Sequence, residues 1–124
     1  MKKILLTLLM SMLSLFAFEE LNYDNFDKKI ANKSVIIDFH ATYWGACQAL
    51  GKSLQKYDSS KTSDVTIYKV DINAQAKLAN KLNIRSMPTL VYSKNGKFMA
   101  IERGVVTAET IKQNVQKWEQ QKRR

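Results

Sequence analysis

Very few residues of this chain can make or break bonds. Its 124 residues include one cysteine, Cys47, and one histidine, His40. A single thiol excludes an intrachain disulfide and the four-Cys and Cys2His2 zinc sites. A single imidazole excludes a His-rich centre, so neither a metal nor another cofactor is expected. What remains is thiol chemistry at Cys47. A thiolate there can attack a disulfide and hold a mixed disulfide; the alternative is a small, inert apolar side chain. An odd cysteine in an exported chain also leaves intermolecular pairing open. Asp38 is the second residue of interest. It interrupts the apolar run Val35-Ile36-Ile37-Asp38-Phe39, where a carboxylate is costly unless protonated or paired. His40 follows two residues later on the same strand face. A thiol-protease pairing of Cys47 with His40 is disfavoured, because no oxyanion device or third orienting group is visible. A metal site from Asp38, His40 and Cys47 is disfavoured equally.

The elements that must position these residues follow from periodicity. Asn22 starts a short helix with Tyr23, Phe26 and Ile30 on one face. Residues 34–39 are a β-branched run of the kind found in a buried central strand. Leu50, Leu54 and Tyr57 define an amphipathic helix over residues 46–57, followed by a polar loop at 59–63. Residues 64–70 alternate as a strand, and residues 74–82 form a short helix. Residues 89–92 and 98–102 flank Asn95-Gly96, a pair that favours a type I′ hairpin because it tolerates φ > 0 at both positions. Thr107 caps a last helix whose apolar face is Ile111, Val115 and Trp118. Helices alternating with strands imply a parallel pair, and the terminal hairpin adds an antiparallel edge. One α/β domain is expected.

The N-terminus reads differently. Met1-Lys2-Lys3 is positive, an apolar run broken only by Thr7, Ser11 and Ser14 continues to Phe18, and Glu19-Glu20 closes it. This is the pattern of a secretory signal peptide, and it is short for a spanning helix. Cleavage after Ala17 leaves a domain of residues 18–124, periplasmic or secreted. An uncleaved membrane anchor stays the alternative, and with it the one route to a membrane. The formal charge of +9 is spread along the chain, apart from Lys122-Arg123-Arg124. No basic stripe interleaved with aromatics is present, so a solvated surface is expected rather than a nucleic-acid interface.

Three blocks of sequence resemble thioredoxin: Val35-Ile36-Ile37-Asp38-Phe39-His40-Ala41-Thr42-Tyr43-Trp44-Gly45-Ala46-Cys47, then Ile84-Arg85-Ser86-Met87-Pro88-Thr89-Leu90, then Lys94-Asn95-Gly96-Lys97 and the strand after it. The resemblance covers about residues 20–120. It implies a thioredoxin fold, with a central mixed sheet of four to five strands flanked by helices, in a monomer. Thioredoxins carry Trp-Cys-Gly-Pro-Cys at the strand-to-helix turn. Here Cys47 takes the second, resolving position, Trp44 stands in place of the attacking cysteine, and Ala46 replaces the proline. The resemblance assigns proton transfer at the thiol to Asp38, with Lys69 as its neighbour. It makes the Met87–Pro88 bond cis and places Tyr43, Trp44, Met87 and Pro88 around a groove for an extended substrate peptide, a mode that needs no thiol. The implied activity is thiol–disulfide exchange on protein thiols or disulfides. The missing first thiol makes the expected protein redox-impaired or monothiol. The alternative is a non-catalytic module that binds client peptides or a partner.

Overall fold

The computed structural model describes residues 18–41 and 44–121. The proposed signal segment, Tyr43 and the basic tail lie outside the described residues. The described residues form five strands: β1 (Glu19–Glu20), β2 (Ser34–His40), β3 (Thr66–Asp71), β4 (Thr89–Lys94) and β5 (Lys97–Arg103). Four helices accompany them among the described residues: α1 (Phe26–Ile30), α2 (Gly45–Ser60), α3 (Ala76–Lys81) and α4 (Ala108–Gln121). The sheet order is β1-β3-β2-β4-β5. β3 runs parallel to β1 and to β2, while β4 is antiparallel to β2 and β5 antiparallel to β4. This is the thioredoxin fold with a mixed five-stranded sheet. The parallel pair and the antiparallel hairpin are where periodicity and the Asn-Gly turn put them. Asn95 (φ 52°) and Gly96 (φ 80°) both lie in the left-handed region that such a turn requires.

Alternation along β2 divides the core into two layers. Ile36 joins Ile67, Leu90, Leu50, Leu54, Ile111 and Trp118 beneath α2 and α4. Val35, Ile37 and Phe39 join Val70, Val91, Phe26 and Leu78 beneath α1 and α3. Central β2, buried along nearly its whole length, therefore presents apolar residues to both layers, as a strand covered by helices on each face must, with Asp38 and His40 the exceptions near its end.

Four elements differ most from expectation. β1 was not anticipated; its two glutamates offer no strand signal, and pairing with β3 alone creates it. α2 runs through Ser60, over residues assigned to a polar loop. The hydroxyls of Ser59 and Ser60 donate to the carbonyls of Gln55 and Lys56, so these serines continue the helix. α1 and α3 begin later than Asn22 and Ala74. Asn22 and Asn25 exchange side-chain-to-backbone hydrogen bonds of 2.8 and 2.9 Å. Asp71 Oδ1 accepts from the amides of Asn73 and Ala74. These local turns hold the residues before each helix outside it. Thr107 caps α4, its Oγ1 accepting from the Thr110 amide at 3.1 Å.

Candidate thiol site

β2 delivers its last residues to the N-terminus of α2. Trp44 is the N-cap residue, extended (φ −94°, ψ 122°) and without a side-chain cap bond. Cys47 lies in the first turn, its amide donating to the Trp44 carbonyl at 3.0 Å. The Sγ accepts from the Ala41 amide at 3.4 Å. A helix N-terminus favours a thiolate, yet the thiol is held above its ordinary range. Burial is the largest cause, the Ala41 N–H opposes it, and the nearby Asp38 charge adds to it. Cys47 is 6 % exposed, whereas Trp44 is 55 % exposed. The position of the family's attacking cysteine thus presents an indole to solvent, with the thiol beneath.

Asp38 is 2 % exposed, and its Oδ1 has no hydrogen-bond partner among the described residues. Its carboxyl is pushed up to about 6, chiefly by burial; the charges of His40 and Lys69 pull it down, and Glu20 pushes it up. Backbone register sets Asp38 opposite Lys69. The Lys69 ammonium, however, makes its ion pair with Glu20, at 3.8 Å, so no close Asp38–Lys69 pair forms. His40 turns the same way. Its Nε2 lies 2.8 Å from Glu20 Oε1, and that hydrogen bond is the main reason its imidazole is held above the ordinary range. His40 is thus an ion-paired, buried side chain rather than a partner for Cys47. Glu20 is the residue that sequence reasoning missed. It closes the apolar N-terminal run, and nothing local announces that β1 carries it to the β3 edge beside His40 and Lys69.

The second part of the site is the proline turn. Met87–Pro88 is cis. Pro88 is buried and Met87 half-buried. Phe39 pairs with Thr89, which sets Pro88 level with His40, next to the Ala41 amide that holds the Cys47 sulfur. The Pro88 carbonyl accepts from the Gly104 amide at 2.9 Å. Cys47, Asp38, Trp44, Met87 and Pro88 therefore share one end of the sheet.

A thioredoxin family model matches residues 17–117 of the chain. The chain belongs to the thioredoxin family. Thioredoxin from Malassezia sympodialis is 40 % identical over 77 residues, which make up 60 % of this chain and 73 % of that protein. A thioredoxin-like protein of Synechocystis is 31 % identical over 96 residues, 76 % of this chain and 91 % of its own. The crystal structure of Malassezia sympodialis thioredoxin superimposes with a TM-score of 0.72 at 31 % identity, covering 82 % of this chain and 90 % of that one. Chloroplastic thioredoxin z gives 0.74 at 26 % identity, covering 82 % and 94 %. The family is one of redox proteins, and this member has a single cysteine in its whole sequence.

Proposed function

We propose that this protein is an exported thioredoxin-like monomer that engages protein thiols or disulfides through Cys47 alone and does not turn over as a dithiol enzyme. One observation carries the reading: the only thiol sits at the resolving position, buried, and an exposed Trp44 stands where an attacking thiol would be. Deprotonated Cys47 can attack a substrate disulfide. The substrate S–S bond breaks, a Cys47–substrate S–S bond forms, and the departing sulfur leaves as a thiolate that takes up a proton. No second thiol of the chain can then displace Cys47, so the adduct persists until an external thiol reduces it. The Lys2-Lys3 segment and the apolar run behind it support export.

The test mixes the reduced full chain, or its Cys47→Ser variant, with a protein disulfide and no other thiol. Only the wild type should form a mixed disulfide, at most one per chain, which persists until dithiothreitol is added. Release of fully reduced substrate without an added thiol, as by a dithiol protein, would overturn the reading.

A second reading has its own observation. Trp44 is exposed at the same end of the sheet as the half-buried Met87, while the thiol is buried, which suits a non-catalytic module that binds an extended client peptide. Binding of a cysteine-free client that survives Cys47→Ser but fails in Trp44→Ala would favour it.

A further inference from the structure

On the opposite face of the sheet from α2 and α4 lies a groove of about 220 Å³. Its walls are the segment before the proline turn and the edge strand β5. Arg85 and Ser86 come from the first, and Ile101 and Arg103 from the second, with Thr89 of β4 between them. No carboxylate lines it. Arg85 donates its Nε to Asn83 Oδ1 at 2.9 Å, and neither guanidinium has an ion-pair partner among the described residues. The nearest acid in sequence, Glu102, alternates to the other face of β5, where Asn114 donates to it at 3.0 Å. Two unneutralised guanidiniums in one groove, on a chain of formal charge +9, are an uncompensated positive focus.

The backbone adds direction. β5 ends the sheet, so the outer N–H and C=O groups of this strand have no strand beside them among the described residues. An incoming extended segment can pair with such an edge. Its alternate side chains would then stand over the groove face. Ile101 on that face is 46 % exposed, and it offers an apolar seat between the arginines' positions.

We propose that this groove docks an extended acidic segment of a partner protein, its carboxylates meeting Arg85 and Arg103 and an apolar side chain resting on Ile101. Guanidinium forks pair bidentately with carboxylates, which suits a peptide carrying acids at alternate positions. The groove opens beside the turn that holds Pro88, whose carbonyl bonds Gly104 just after Arg103. It therefore selects partners by charge, without using the thiol.

The test is fluorescence-anisotropy binding, to the full chain, of a short cysteine-free peptide with Glu at alternate positions and Val between them. A Gln-for-Glu version serves as comparison. The acidic peptide should bind saturably and more weakly as salt rises. The Gln peptide, and the Arg85→Gln/Arg103→Gln variant, should each bind roughly tenfold more weakly. Lys52→Gln/Lys112→Gln, which removes two exposed cations from α2 and α4, should leave affinity unchanged. Arg85→Glu/Arg103→Glu should prefer a Lys-for-Glu peptide, which shows that the altered chain still folds. Absence of saturable binding, equal weakening by the lysine variant, or displacement by inorganic phosphate as effective as by the peptide would each overturn the proposal. Because the probe lacks cysteine, none of these outcomes bears on Cys47 chemistry.

Discussion

Asp38 decides the acid–base behaviour of the site. Its carboxyl rises from 3.8 to about 6 because burial outweighs the attraction of His40 and Lys69. A raised carboxyl pKa means that folding favours the protonated form. That contribution is fully present below about pH 4 and is lost as pH rises through about 6. At neutral pH the ionised, buried carboxylate costs about 3 kcal/mol. Asp38→Asn should therefore stabilise the protein by roughly 2 to 3 kcal/mol at pH 7.5 in urea unfolding, and the gain should vanish toward pH 4. The same variant removes the charge that helps hold the Cys47 thiol up, so iodoacetamide should label Cys47 faster near neutral pH. Slower labelling would mean that Asp38 acts as the proton acceptor. His40 has the same sign of pH dependence for a different cause. The Glu20 hydrogen bond raises its imidazole above 6.5, so its stabilisation is complete below that value and is lost as pH rises through the elevated pKa. Since His40 is the only histidine, its NMR titration is unambiguous. Glu20→Gln should move the midpoint down, and an unmoved midpoint would show that the pairing does not form in solution.

At the scale of elements, the N-terminal turn of α2 keeps its place at the end of β2, although Trp44 and Ala46 replace the family's cysteine and proline. Trp44 is the N-cap and Cys47 lies in the first turn, the placement that gives an attacking thiol a helix dipole and a resolving thiol beneath it. Trp44→Cys should accordingly restore a pair that closes to a disulfide under mild oxidant and reduces protein disulfides catalytically. A folded variant that forms no such bond would show that the turn has changed more than its sequence. The β4–β5 hairpin gives a second check. Gly96 has φ 80°, so Gly96→Ala should cost roughly 1 kcal/mol, read by thermal unfolding. These elements were legible because each has a local cause. An Asn-Gly pair needs no distant contact to turn, and apolar residues at helical spacing define the buried face of α2 wherever it packs. The thiol, Asp38 and the proline turn were legible for a similar reason, since their blocks are contiguous in sequence. β1 and the Glu20 contacts were not, because a two-residue strand exists only through its non-local partner. The Lys69–Glu20 pairing was not legible either, because register sets Asp38 opposite Lys69 but leaves a long side chain free to reach a second carboxylate.

Across the whole molecule, the N-terminal edge of the sheet joins the site to the stability of the fold. Phe18 packs against the layer beneath α2 and α4, Leu21 is 2 % exposed within the other layer, and Glu20 between them pairs with His40 and Lys69. The Leu21 amide donates to the Lys69 carbonyl at 2.8 Å, extending the β1–β3 ladder. Four consecutive residues thus reach both core layers and the charged cluster. Losing Leu21 alone removes a fully buried side chain, which costs about 2 to 5 kcal/mol. For a domain of this size that corresponds to a drop in melting temperature of roughly 10 °C or more. A chain beginning at Phe18 should melt within about 2 °C of the full chain, whereas one beginning at Asn22 should show that larger drop and a His40 titration returned toward its ordinary value. Equal melting temperatures for the two truncations would show that β1 and Leu21 contribute nothing to the fold. A large loss already in the chain beginning at Phe18 would show that the domain starts earlier than residue 18.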